Sequence, residues 1–508
     1  MATSPQLDIL QMLAEWSGPA VVARLPLRPG GVDPLGLRQV NFDLMDRCIP
    51  GLNNTATRLR PYALVAWAWW KAAALAKAEI GDLVDPDRLK AYVDRIEVVF
   101  AVGHLLENDF AGLLGRDTLN GEVVNRGAYD FSSKLWRDFR VRRNSTTSLM
   151  APVSYGPSAK EGAGLGYLSP RADGAFAPTV EAMPVVHAIE AELSEILDDP
   201  CFAALDCGVI EVERMRELYP YWATGALTDV ERSVGRDRLC RGARAATLGL
   251  ISQVLEASGD WLSVGEIRRQ MALVAPGPAP ANEELSAAPL WRAVQAQQLY
   301  RLSLEALMVW LLDTTVSRPY QLVELASLLM DETEHDAGWT FGQWLKAAPE
   351  DADQPCDVVP PIADLATVAQ SANPGTALDY VRFALAVCRE MGSDQRLFGG
   401  AADRLPLEKA DARAARMAGM PLRDAFEVVL SEWVIGQHLY WAVGRSGDET
   451  QRLRLMLDEG GWLAFSAYGN AAPTPDRLAT LLSLASDAGI LDWDEVDGET
   501  VYALAAAE

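Results

Sequence analysis

Five cations fall between Lys134 and Arg143: Lys134, Arg137, Arg140, Arg142 and Arg143, facing a single Asp138. Trp136 and Phe139 are interleaved with them, and Asn144, Ser145, Thr146 and Thr147 follow. Clustered cations supply sequence-independent affinity for phosphates, and short hydroxyl and amide side chains bond phosphate oxygens. This run could therefore contact a nucleic-acid backbone without reading sequence. A second run, Arg232, Arg236, Arg238, Arg241 and Arg244 around Asp237, offers the same chemistry. For both runs the competing reading is a solvated basic face balanced by acidic neighbours.

Catalytic patterns are sparse by comparison. No G-x-x-x-x-G-K-[ST], G-x-S-x-G or H-E-x-x-H occurs. Gly162-Ala163-Gly164-Leu165-Gly166 has its last glycine out of place for a dinucleotide loop and no helix after it, so it reads as a turn. The four histidines (His104, His187, His335 and His438) are far apart. His335-Asp336, with Asp331, Glu332 and Glu334, reads as an acidic helix end rather than a metal site. Asp492, Asp494 and Asp497-Gly498 lack the ligand positions of a calcium loop. Glu211 and Glu213 lead to Arg214 and not to a nuclease-type lysine. His438 shares a helix face with Ile435 and Ala442, which suits a satisfied core histidine. A noncatalytic protein with no cofactor and no metal is expected.

The elements that must position these groups are helical. Three-and-four spacing of apolar residues predicts helices over Arg58–Ala78, Pro86–Leu106, Val185–Leu197, Gly242–Ala257, Leu290–Asp313, Ala377–Met391 and Leu422–Val443. Long alternating runs are missing, so the fold class is mostly α. Pro- and Gly-rich stretches at Val153–Pro178, Ala275–Pro289 and Ala348–Ile362 mark connectors. With 508 residues, too many for one core, they suggest domains at 1–185, 186–350 and 351–508.

Two segments carry wing-like β-hairpins. Near the C-terminus, within about 459–508, Thr474-Pro475-Asp476 can open a helix, Gly489 can stop it, and Asp497-Gly498 joins two short strands. That order resembles the second half of a winged-helix domain. Its helix offers only Arg477, and its hairpin carries Asp492, Asp494, Glu495, Asp497 and Glu499, so phosphates would be repelled and protein docking is expected. A second such unit is expected upstream, where Asp173-Gly174 joins two short strands ahead of a helix capped by Thr179.

The formal charge of −25 is unevenly spread. Residues 1–150 hold 18 basic and 17 acidic side chains, which leaves −26 on the remainder. The acidic C-terminal two thirds are expected to dock on other protein subunits, and DNA contact, if any, falls to the N-terminal domain. No signal peptide or membrane span is expected, and six scattered cysteines without a C-x-x-C pair fit a reducing cytoplasm.

Leu37–Trp67 and Gly436-Gln437-His438-Leu439-Tyr440-Trp441-Ala442 resemble uncharacterised bacterial proteins encoded beside phage-defence or DNA-targeting genes. The resemblance implies a subunit of a DNA-handling defence complex and brings no catalytic residue with it. The expected function is a noncatalytic scaffold or adaptor in such a complex. The alternatives are a protein scaffold or sensor that binds no nucleic acid, and an enzyme with a carboxylate metal site.

Overall fold

The computed structural model describes residues 33–81, 85–274, 287–333, 338–347, 357–358, 360–362, 373–399, 404–445, 452–468 and 472–506. Of the expected connectors Ala275–Pro289 and Ala348–Ile362, residues 275–286, 348–356 and 359 lie outside these residues, as does His335-Asp336, whereas Ala287–Pro289 open a helix. Helices dominate, and the strands are short, antiparallel and confined to small sheets. The mostly α reading holds. Among the described residues no helix is long and apolar enough to cross a membrane.

Helices α1 (Arg38–Cys48), α2 (Arg60–Ile80) and α3 (Pro86–Leu106) open the described chain. Helix α3 starts where Pro86 takes the first position and the Asp85 side chain accepts from the Asp87 N–H. Strand β1 (Ala128–Asp130) leads to α4 (Lys134–Thr146), which carries the first basic run. Strands β2 (Leu168–Pro170) and β3 (Phe176–Pro178) form a hairpin, followed by α5 (Met183–Glu192). Strand β4 (Val209–Glu211) pairs with β1. Helix α6 (Asp229–Leu239) carries most of the second basic run, and a capping box of Thr228 and Glu231 starts it.

The second upstream wing differs from its expectation. Among the described residues hairpin β2–β3 is a two-stranded sheet, and β3 packs on α2. Thr179 does not cap the helix that follows; its hydroxyl donates to the Gly166 carbonyl at 2.7 Å.

The C-terminal unit is larger than its sequence suggested. Helix α7 (Gly242–Ser258), strand β5 (Leu262–Ser263) and helix α8 (Val264–Leu273) come first. The chain then leaves for the rest of the fold and returns, some two hundred residues later, at α11 (Leu478–Asp487), with strands β8 (Leu491–Val496) and β9 (Glu499–Leu504) closing it. Strand β5 pairs with β9, giving the order β5-β9-β8. Helix, strand, helix, helix and hairpin is the element order of a winged helix, here interrupted between its second and third helices. Asp497 (φ 53°) and Gly498 (φ 81°) are both left-handed, as a two-residue hairpin turn requires. The boundary expected near 350 therefore falls inside the interruption, and the one near 185 falls inside α5.

Within the interruption, α9 (Ala287–Thr315) is the central element. It packs against α1, α7, α8 and α10 (Pro374–Glu390), and against the hairpin β6 (Leu455–Asp458)–β7 (Gly461–Ala464). Apolar on nearly every side, it also buries Gln297, Gln298, Arg301 and Glu305. Arg301 donates to Glu305 Oε1 at 2.6 Å, and both side chains are fully buried. Tyr468 donates to Glu305 Oε2 at 3.1 Å, and Arg301 Nη2 reaches the Ala472 carbonyl at 2.7 Å.

Removing one member of a buried ion pair strands the other charge, which costs about 3–5 kcal/mol. Glu305→Ala should therefore lose about that much in chemical denaturation, while the apolar pair Arg301→Met with Glu305→Leu loses far less. Equal losses in the two proteins would show that the pair does not act as a unit.

Candidate nucleic-acid interface

Helix α4 begins where Ser133 Oγ accepts from the Trp136 N–H at 3.1 Å. Its inner face carries Trp136, Phe139 and Arg143, all buried. Phe131 meets Trp136 edge-on at 4.9 Å between ring centroids, which seats the helix on β1 and the loop after it.

The basic run divides by direction. Arg143 is 4% exposed and lies within the fields of Asp94 and Glu97 of α3. Arg140 Nε approaches Asp94 Oδ2 at 3.5 Å, and its Nη1 donates to the Asp87 carbonyl at 3.0 Å. Asn144 Nδ2 donates to the same Asp94 oxygen at 3.2 Å, and Glu97 Oε2 accepts from the Leu149 N–H at 2.9 Å. Arg142 stays exposed and pairs with Glu122 at 3.3 Å. Lys134 and Arg137 are exposed and make no ion pair among the described residues. Of five expected phosphate ligands, two are committed inward, because Asp94 and Glu97 are buried on α3 and require cations opposite them. Burial pushes both carboxyls above the ordinary carboxylate range, and for Glu97 the neighbouring Asp94 charge adds to it.

The second run divides in the same way. Arg232 Nη1 donates to the Asp487 carbonyl at 3.2 Å, and Arg236 Nη2 to those of Ala488 and Gly489 at 3.2 and 3.0 Å. These are the unpaired carbonyls at the end of α11, where cations are favoured. Two expected phosphate ligands thus clamp the C-terminal unit onto α6. Arg58 and the Leu59 N–H hold the same end through Asp487 Oδ2, at 3.1 and 2.8 Å. Arg268 of α8 donates to Asp476 Oδ1 at 2.9 Å ahead of α11, and Asp476 accepts from the Leu478 N–H. The N-cap position of α11 is Arg477, without a side-chain cap, and it is Asp476, one residue earlier, that bonds the first helical N–H, at 3.4 Å.

The remaining three, Arg238, Arg241 and Arg244, line a cleft of about 500 Å³ beside the Gly162–Gly166 loop. Arg244 donates to the carbonyls of Pro50 and Ala163 at 2.8 and 2.9 Å. Gly162 (φ 92°) and Gly166 (φ 72°) make the loop the turn expected of it.

The second stretch of resemblance packs against Pro34 and Gly36, just ahead of the first. His438 Nδ1–H donates to the Pro34 carbonyl at 3.0 Å, and Nε2 accepts from the Arg454 N–H at 3.0 Å. A side chain on Gly36 would strike the Trp441 ring. His438 is thus a satisfied core histidine, and burial lowers its pKa to about 4. Farther along the first stretch, Gly51 (φ 73°) lies against the Ala163 carbonyl, where a Cβ could not fit. Among the described residues no group of three or more His, Cys, Asp and Glu is placed to hold a metal ion.

Two titrations follow. A depressed histidine stabilises the fold above its unfolded pKa of about 6.5, and that contribution is lost as pH falls towards 4. His438→Gln should be less stable than wild type at pH 7, and denaturation curves should show the gap narrowing by up to about 3 kcal/mol at pH 4. A raised carboxyl has the opposite sign, since its contribution is present at low pH and lost as pH rises. Glu97→Gln should match wild type near pH 5 and exceed it at alkaline pH; a parallel pH profile would contradict the burial argument. Comparison of the chain with protein-family models, curated proteins and solved structures finds no match to any of them.

Proposed function

We propose that this protein is a noncatalytic scaffold that docks a basic protein partner through the acidic β8–β9 hairpin. The observation that carries the reading is the outward edge of that sheet. In the order β5-β9-β8 the outer strand is β8, and Asp492, Trp493, Asp494, Glu495 and Val496 along it are all exposed. Trp493 is 62% exposed on this edge. Large aromatic side chains dominate interface energetics, and an acidic rim selects a partner of opposite charge. A charged edge also protects the free strand from self-association, so the same residues serve solubility before a partner arrives.

The inward commitment of Arg140, Arg143, Arg232 and Arg236 supports a scaffold over a nucleic-acid coat. Nucleic-acid contact is a secondary reading, carried by Lys134, Arg137 and Arg142 on the outer side of α4. The resemblance around Leu37–Trp67 is the support for placing the assembly in DNA handling and phage defence.

Tagged wild type and the variant Trp493→Ala/Asp494→Lys/Glu495→Lys, co-purified from the native host and compared by quantitative mass spectrometry, test the main reading. The variant should lose a partner that wild type retains, since truncating a central interface Trp costs about 2 kcal/mol or more. An unchanged partner set would overturn it. For the secondary reading, Lys134→Ala/Arg137→Ala/Arg142→Ala should reduce the salt dependence of DNA binding by about 0.9 in log–log slope for each phosphate no longer neutralised. Absence of DNA binding by wild type at low salt would remove it.

A further inference from the structure

The cleft beside α7 is built from three parts of the chain that are far apart in sequence. One wall is the Gly162–Gly166 loop, a second is Thr179 and Glu181, and the floor runs from Arg238 to Arg244. Pro50 closes it.

Its electrostatics are unbalanced. Arg238 is 5% exposed, yet its one carboxylate partner among the described residues is Glu181, at 3.9 Å and itself largely in solvent. Arg238 Nη2 reaches Thr179 Oγ1 at 3.4 Å, and Nη1, which faces Gly166, has no acceptor among the described residues. Arg244, 6% exposed, bonds four carbonyls and, among the described residues, no carboxylate. Arg241 is exposed and donates to the Asp237 carbonyl at 3.0 Å. Burial lowers the pKa of both Arg238 and Arg244, and the Arg241 charge lowers them further, so the three cations repel one another. The other acid of the lining, Glu161, accepts from Ser169 Oγ at 2.7 Å.

The backbone adds to this charge. Helix α7 starts at Gly242 without a side-chain cap, and Gly242 and Ala243 line the cleft. Uncapped N–H groups at a helix start favour an anion. Glycines at 162, 164 and 166 let an anion approach the opposite wall closely. Buried guanidiniums that have no carboxylate partner, as Arg244, or only a distant and solvent-exposed one, as Arg238, are costly unless an anion neutralises them. The size suits a small molecule, since such sites occupy about 300–1,000 Å³. Among the described residues no aromatic ring lines the cleft, so recognition is of the phosphate group and not of a base.

We propose that the cleft formed by Arg238, Arg241, Gly242 and the Gly162–Gly166 loop binds a phosphorylated small molecule of nucleotide size through its phosphates. The carbonyl-bonded Arg244 positions the loop against Pro50, and Arg238 and Arg241 contact the anion. The site is independent of the β8–β9 hairpin, so its test is independent of the docking proposal.

Isothermal titration of the full chain at low ionic strength, with inorganic pyrophosphate and with ATP, tests it. Both should bind wild type, and Arg241→Ala should weaken binding by about tenfold, as expected for removal of one charge-assisted hydrogen bond. Arg238→Gln should weaken it at least as much, and Arg423→Ala, an exposed cation outside the cleft, should leave it unchanged. Arg241 is exposed, so its variant keeps the test meaningful if Arg238→Gln fails to fold. Tighter binding of ATP than of pyrophosphate identifies a nucleotide, and equal binding identifies a phosphate group alone; both support the site. No binding of either anion, binding insensitive to Arg241→Ala and Arg238→Gln, or binding only of a DNA oligonucleotide would overturn it.

Discussion

Burying α9 on nearly every side sets the terms for the rest of the fold. A 29-residue helix buried along almost its whole length must find protein partners for the polar groups it carries. Gln298 meets the Thr474 backbone twice, donating to its carbonyl at 3.3 Å and accepting from its N–H at 3.0 Å. Gln297 accepts from the Leu407 N–H at 2.9 Å, and Asn41 of α1 donates to the Val294 carbonyl at 3.0 Å. Each bond ties a segment remote in sequence to one point on the helix. The entry into α11 is fixed this way, through Thr474 and Ala472, independently of the packing within the C-terminal unit itself.

The same demand for partners explains the basic runs. An acidic chain with buried carboxylates at Asp94, Glu231 and Glu305 needs buried cations, and arginine is suited to the task because its planar fork bonds several oxygens at once. Arg60 illustrates it, pairing with Glu192 and Glu231 at 3.0 Å each while fully buried. The global charge describes how the surface meets solvent and partners. Individual cations answer to local carbonyls and carboxylates, and so a run on a helix splits by face.

Local signals in the sequence transferred well into structure. Pro86–Leu106 is the helix its periodicity predicts, and Asp497-Gly498 turns the hairpin as its dipeptide demands. Leu422–Val443 is legible as helix, though Val429–Gly436 winds as a π-helix, a distinction that apolar spacing does not encode. What depends on pairing across distance stayed hidden. Two residues, Leu262 and Ser263, complete the sheet of a hairpin that starts at Leu491, and so short a strand leaves no alternation to read. Asp94 and Glu97 did leave a trace, as acids beside Arg95 within the mainly apolar run Tyr92–Val102. Such acids inside a buried stripe require partners, and the cations of α4 supply them.

Helix α6 brings these themes together, because its two ends answer to different neighbours. Along its length, Arg232 and Arg236 neutralise the carbonyl end of α11 and seat the C-terminal unit. At its close, Arg238 and the Arg241 that follows face a cleft with too few acids to balance them. Helix α7, which starts at that cleft, is the first helix of the C-terminal unit, and the strand β5 that follows it supports β9. An anion held at the junction of α6 and α7 would relieve repulsion among three guanidiniums at the point where the unit joins the body. Stability gained there would be shared by the sheet that ends in the exposed edge of β8, since that sheet packs on α7, α8 and α11, and α6 holds the end of α11.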